Sequence, residues 1–142
     1  MTKREDIFSA LFAVLEPLTG TTLSRNEPLK DFPPGDVFSN LDDGETENTE
    51  TFLNPPLYEF TATPMLTIAV NGDDGPTRDA ALAGKVDEAN QLLVAVTDLG
   101  GLITAIRVQP PTYAPSQLWA AVGIKGATIP IELDFWSTES IG

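Results

Sequence analysis

The densest group of residues capable of chemistry is an acidic stretch in the first half of the chain, Asp42-Asp43-Gly44-Glu45 followed by Glu47. Carboxylates at alternating positions are the ligands of calcium-binding loops. An EF-hand loop that begins at Asp42 would need Gly at its sixth position and Glu at its twelfth. Here Gly44 is third and Leu53 is twelfth. The spacing therefore argues against a metal site, and we expect a solvated acidic segment.

A second carboxylate pair, Glu132 and Asp134, lies near the C-terminus. Glycosidases use such pairs for acid–base catalysis. Here both residues alternate with apolar neighbours, which is typical of the solvent face of a β-strand. Histidine and cysteine are absent from the whole chain. Their absence excludes Ser-His-Asp and Cys-His relays, imidazole or thiolate metal ligands, and disulfides. We therefore expect no enzyme, no catalytic residue, no metal and no cofactor.

The charge of the chain is strongly one-sided. Its 142 residues include 8 Lys plus Arg and 21 Asp plus Glu, which gives a formal net charge of −13. Between residues 31 and 77 there are ten acidic residues and no Lys or Arg. Nucleic-acid binding needs a basic patch that neutralises phosphates, so sequence-specific nucleic-acid binding is not expected. No apolar run approaches the ~20 residues of a membrane span, and the acidic start does not resemble a signal peptide. These features predict a soluble protein that remains in a cytoplasm.

Two amphipathic helices are predicted from apolar residues at helical spacing. The first covers residues 3–18, where Thr2 and Glu5 have capping-box spacing and Pro17 disrupts the last turn. The second covers about residues 78–97, is opened by Thr77, and ends before Gly100-Gly101.

Strands are predicted where apolar and polar residues alternate. The clearest one covers residues 58–70, and Pro64 within it indicates an edge position or a bulge because proline lacks an amide donor. Further strands are expected at 21–25, 37–38, 102–108 and 127–136. The segment 39–57 is predicted to be an extended acidic loop, and 109–126 a long connection between strands. The fold class is therefore α+β, a single domain over residues 1–142 with two helices packed on one face of a mainly antiparallel sheet.

Two surfaces are candidates for contact with other proteins. Aromatic residues outside apolar strand faces are over-represented at interfaces. The candidate interface residues are Pro64, Tyr113, Leu118, Trp119 and Trp136. For Trp119 the alternative is burial in a small satellite core under its own loop. The acidic loop supplies the second surface, with Asp42, Asp43, Glu45, Glu47 and Glu50.

Short sequence features accompany this order of elements. They are Lys3-Arg4-Glu5-Asp6-Ile7 at the start of the first helix, Leu23-Ser24-Arg25-Asn26 at the first strand, residues 80–86 in the second helix, Leu99-Gly100-Gly101-Leu102 leading into Ile106-Arg107, and Gly126-Ala127 before the last strand. Together they resemble the tail terminator proteins of long-tailed bacteriophages and gene transfer agents, the minor tail protein U type. The resemblance extends over nearly the whole chain. The chain departs from that pattern in its long insertion at 45–56 and its longer connection at 110–125.

The resemblance implies a structural virion protein. Such proteins form a hexameric ring on the head-proximal end of the tail tube, stop tube polymerisation and present the surface that joins the head connector or stopper protein. DNA passes through the ring, and assembly takes place in the cytoplasm of the bacterial host. The acidic residues are then expected at the lumen or the tube-facing rim, where negative charge repels passing DNA.

Two other interpretations remain open at this point. The first is a different head–tail neck or completion subunit. The second, from another class, is a small carboxylate enzyme or an acidic ligand-binding module, which would need a deep pocket with clustered polar groups.

Overall fold

The structure is a computed structural model that describes residues 2–28, 36–72, 75–114 and 124–141. It contains two helices and six strands, so the α+β class is confirmed. The elements in chain order are α1 (Lys3–Leu15), β1 (Leu23–Arg25), β2 (Val37–Leu53), β3 (Pro56–Asn71), α2 (Gly75–Val94), β4 (Ala105–Val108), β5 (Thr112–Ala114) and β6 (Ile124–Ser137).

The six strands form one sheet in the order β1-β2-β3-β6-β4, and β5 also pairs with β6. All pairs are antiparallel except β1 with β2, which is parallel. The long strands β2, β3 and β6 make up most of the sheet. Because successive side chains of a strand point to opposite faces, β3 and β6 each present one apolar and one polar face.

Buried residues of the helices and of the sheet form one apolar core. Alternate residues of β6, from Ala127 through Ile131 to Phe135, are completely buried. Phe135 stacks on Phe60 of β3 with ring centroids 5.3 Å apart. The helices contribute the remaining core side chains, namely Ile7, Phe8, Leu11, Leu15, Leu82, Val86, Ala89 and Leu93. They also contact each other. We call the side of the sheet that carries the buried residues of β3 and β6 the core face and the opposite side the outer face.

The helix ends follow the predicted capping chemistry at α1 and differ at α2. Thr2 Oγ1 accepts a hydrogen bond from the Glu5 amide at 3.2 Å, which satisfies one of the free amides of the first turn. The helix ends at Leu15, because Pro17 cannot supply the next amide. Helix α2 begins at Gly75, two residues before the predicted cap Thr77. No helix in the described part of the chain is long and apolar enough to cross a membrane.

The predicted acidic loop is wrong. Residues 37–53 form a 17-residue strand that pairs with β3 along almost its whole length. Asp, Glu, Asn and Gly are depleted in strands, so their abundance here indicates a loop when the segment is considered alone. Pairing with β3 overrides this local preference. The predicted connection 109–126 is partly strand as well, since it contains β5 and the start of β6.

Candidate functional site: the acidic half of β2

A β-bulge separates the two halves of β2. Asp42 pairs with Met65 and Glu45 pairs with Thr63, so Asp43 and Gly44 together face the single residue Pro64. Pro64 has no amide hydrogen to donate to a regular ladder, and a bulge is where such a residue is tolerated. The bulge predicted from Pro64 is therefore confirmed. The edge position is wrong, because β3 lies between β2 and β6.

Gly44 is required at this bulge for two separate reasons. Its φ of +63° lies in the left-handed region, which side chains with a Cβ disfavour. A Cβ added at Gly44 would also stand 2.0 Å from the carbonyl oxygen of Thr63, which is far inside contact distance. The close approach of the two backbones is therefore possible only with glycine.

Beyond the bulge, the carboxylates of β2 lie on one face of the strand. Glu45, Glu47 and Glu50 pair with Thr63, Thr61 and Glu59 respectively. Paired residues share a face, and these β3 residues alternate with the buried core residues, so the carboxylates lie on the outer face. Asp42 belongs to the same face through its pairing with Met65. Four of the five predicted acidic residues thus form a row along one exposed strand.

This row has little neutralising charge. No described Lys or Arg forms an ion pair with Asp42, Glu45, Glu47 or Glu50. Glu50 stands directly opposite Glu59, and like charges in a cross-strand pair destabilise the sheet. A second bulge lies between Asn48 and Glu50. There the hydroxyl of Thr49 donates to Glu59 Oε1 at 3.0 Å.

Asp43 is the exception among the predicted acidic residues. Its carboxylate accepts hydrogen bonds from Arg25 Nε at 2.9 Å and Nη2 at 3.1 Å. The same guanidinium also binds Glu5 of α1 at 2.6 and 3.0 Å and lies over the Phe8 ring. These hydrogen bonds lower the pKa of Glu5 and raise that of Arg25. Asp43 therefore joins β2 to β1 and α1, and its charge is neutralised by a cation of the same chain.

Exposed apolar residues follow the acidic row at the end of β2. Phe52 is 45% exposed and Leu53 is 72% exposed, although both are large apolar residues. The Phe52 ring lies 5.6 Å from the ring of Trp136 on β6. Trp136 pairs with Glu59, which places it on the outer face. Phe52 and Leu53 were not among the interface residues predicted from the sequence, because their segment was predicted to be a loop. The alternation Glu45-Thr46-Glu47 and Thr49-Glu50-Thr51 is the signal that could have revealed the strand.

The carboxylate pair of β6 is held by a cation from the neighbouring strand. Arg107 of β4 donates to Glu132 at 2.9 Å and to Asp134 at 2.8 and 3.0 Å. Thr61 donates a further hydrogen bond to Asp134 at 2.8 Å. The hydrogen bonds from Arg107 are the main cause of the lowered pKa of Asp134. Both carboxylates are thus engaged in a cross-strand network on the outer face.

The remaining predicted interface residues lie in different places. Tyr113 lies on β5 and is 47% exposed. Pro64 is buried in the sheet, which leaves it no surface to offer in this conformation. Leu118 and Trp119 lie outside the described residues.

The described part of the chain has grooves but no cluster of metal ligands. A groove of about 410 Å³ lies between α2 and the β4–β5 edge, with Val86, Asp87, Asn90 and Pro111 among its lining residues. A second, of about 420 Å³, lies beside Trp136 and Lys3. Both are open to solvent. No group of three or more Asp or Glu residues in these ranges is arranged to hold a metal ion.

No protein-family model matches the chain, and no curated protein matches its sequence.

Proposed function

We propose that this chain is a structural virion protein of the tail terminator type. In this proposal identical subunits form a hexameric ring on the head-proximal end of a phage tail tube. The ring ends tube polymerisation and joins the tail to the head connector or stopper protein, and it has no enzymatic role. It assembles in the cytoplasm of the bacterial host.

One observation carries this proposal: two unlike exposed surfaces lie at opposite ends of β6. Tyr113 is paired with Ala127 near the start of the strand, and Trp136 contacts Phe52 at its end. Trp136 lies nine positions along the strand from Ala127, a distance of about 30 Å. A ring built from heterologous contacts needs two different patches on each subunit, so that each copy binds the next in the same sense.

The acidic outer face supports a position next to the path of DNA. Asp42, Glu45, Glu47 and Glu50 provide negative charge that no described cation neutralises. Such a surface gives phosphates nothing to bind and keeps passing DNA mobile. The proposal places both helices on the core face, away from the lumen. Their contact with each other and their shared core with β3 and β6 support this arrangement.

Electron microscopy tests the proposal directly. The purified full-length chain is concentrated and imaged in negative stain, alone and with isolated tail tubes of a long-tailed phage. Its mass is measured in parallel by light scattering. Six-fold rings, or caps at one end only of each tube, are the expected result. A chain that stays monomeric and does not bind tube ends at any concentration would overturn the proposal.

A matched pair of variants tests whether Tyr113 belongs to the ring contact. Tyr113→Ser removes an exposed aromatic from β5, whereas Val94→Ser removes an apolar side chain that is 62% exposed on α2. Ring formation is expected to need about tenfold more protein in Tyr113→Ser and to be unchanged in Val94→Ser, because aromatic anchors dominate interface energies. Equal effects of the two variants would remove Tyr113 from the interface. Circular dichroism verifies that both remain folded.

A further inference from the structure

The acidic half of β2 is a strand edge that lacks a partner within the described chain. β1 pairs only with Ser39, Asn40 and Leu41 of β2. Just beyond them, Arg25 binds the Asp43 carboxylate, and the Asp43 amide donates to Asn26 Oδ1 at 2.8 Å. From Gly44 to Leu53, β2 pairs with β3 on one side, and no described strand pairs with it on the other. Alternate amide and carbonyl groups along this edge therefore point away from the sheet.

We propose that this edge receives a strand from a different protein, one that carries Lys or Arg at alternate positions. A strand added to a sheet gains affinity from backbone hydrogen bonds and specificity from alternate side chains. On the outer face, these alternate side chains would stand beside Glu45, Glu47 and Glu50, the unpaired carboxylates of the row. The side chain beyond them would reach Phe52, which lies on the same face and favours an apolar residue at the end of the added strand. The proposal is based on the strand edge and the side chains along it, and it does not require the tail terminator function.

The same row of charge determines which strands are rejected. Charged residues on an edge strand prevent non-specific pairing with neutral or acidic strands. An acidic strand would meet like charges directly opposite, which destabilises a cross-strand pair. A strand with basic residues in register removes this penalty, and it also relieves the repulsion between Glu50 and Glu59. Selectivity therefore comes from repulsion of the wrong partners as well as attraction of the right one.

A second copy of this chain does not fit the edge. No two of its eight Lys and Arg residues are two positions apart, so no segment presents alternating basic side chains. Two other strand edges are described. The β1 edge is only 3 residues long, and the β4–β5 edge is interrupted by Pro110-Pro111, which lack amide donors. Its basic residue Arg107 is already bound to Glu132 and Asp134. The charge pattern thus selects a basic partner of different sequence.

The test uses short synthetic peptides as probes of the full-length protein. The first peptide alternates Lys and Val and ends in Leu. The second has the same side chains and charge, but alternate backbone amides are N-methylated so that they cannot pair with an edge. We expect the first peptide to bind at least about tenfold more tightly than the second, because only the first can extend the sheet. Amide chemical-shift changes and slowed hydrogen exchange are expected between Gly44 and Leu53.

Protein variants test whether the peptide binds to the carboxylates along this edge or to the negative charge of the protein in general. Glu45→Gln with Glu47→Gln removes two charges from the row, and Glu16→Gln with Asp87→Asn removes two exposed charges elsewhere. Only the first pair is expected to weaken binding of the Lys-Val peptide, by about fivefold to tenfold. Equal binding of the two peptides, equal loss in the two variants, shift changes outside β2, or no binding at about 1 mM peptide would each overturn the proposal. Self-association of the protein through β2, seen as the same protection without peptide, would overturn the choice of partner.

Discussion

Replacing Gly44 with alanine tests the bulge on which the acidic half of β2 depends. The structure gives this substitution two separate penalties. The residue would keep a φ of +63°, and its new Cβ would stand 2.0 Å from the carbonyl oxygen of Thr63. Gly100→Ala is the matched control, because Gly100 has a φ of +70° and an added Cβ there meets nothing within 4 Å. The control has the same kind of backbone strain without the overlap.

The expected magnitudes follow from these two geometries. Left-handed backbone costs a residue with a Cβ about 1–2 kcal/mol, and both variants incur that cost. Alanine also restricts the unfolded chain more than glycine does, which raises the unfolding free energy. This contribution is the same in both variants and cancels when they are compared. Overlap with a packed neighbour adds about 1–3 kcal/mol, and here that neighbour is a backbone carbonyl that cannot rotate away alone. Gly44→Ala is therefore expected to lose about 2–5 kcal/mol of unfolding free energy, compared with about 1–2 kcal/mol for Gly100→Ala.

Urea unfolding monitored by circular dichroism measures this difference. With a slope of about 2 kcal/mol per molar urea, the midpoint of Gly44→Ala should lie about 0.5–1.5 M below that of Gly100→Ala. Amide shifts in Gly44→Ala should change on both sides of the bulge, at Glu45 and at Thr63. If the two variants unfold within about 0.5 kcal/mol of each other, the close approach of β2 and β3 at Gly44 is refuted.

Two further predictions concern the elements that hold this strand in place. Glu5→Gln should reduce the unfolding free energy at pH 7 by about 1 kcal/mol, since it removes one carboxylate from the Arg25 cluster. The pKa of Glu5 is lowered in the folded state by its hydrogen bonds to Arg25, so this stabilisation is present above the ordinary glutamate pKa and is lost as the pH falls through the folded value. The difference between wild type and variant should therefore shrink in urea titrations from pH 5 downward, and a difference that is constant with pH would contradict the assignment. Phe135→Ala should lose about 3–5 kcal/mol, because the side chain is completely buried and stacks on Phe60; a thermal unfolding midpoint equal to that of wild type would show that the stack is not part of the core.

The positions of the helices and of the long strands β3 and β6 could be predicted from the sequence because each carries its own periodicity. Residues of α1 repeat at helical spacing after a capping threonine, and β3 and β6 alternate between apolar and polar residues. The bulge could be predicted too, since Pro64 cannot complete a regular ladder. Such patterns are local, so they can be recognised without knowing what each element packs against.

The candidate site was less predictable, because the contacts of its residues depend on which strands pair. Strand β2 has the composition of a loop, and it is a strand because β3 provides a long row of backbone partners. Asp42 and Asp43 are adjacent and chemically identical, yet only Asp43 meets Arg25, a residue 18 positions away. The exposed pair of Phe52 with Trp136 likewise joins two strands that are distant in the sequence.

The residue types present limit the chemistry that this protein can perform. It contains no histidine or cysteine, and its negative charge is concentrated in one segment. Strand pairing determines where on the surface that charge lies. Register with β3 places Glu45, Glu47 and Glu50 in a row on one exposed face, and the bulge at Gly44 turns Asp43 towards Arg25. Net charge is a sum over residues, whereas a charged surface depends on which side of a strand each residue occupies. That side is fixed only when the strand pairs.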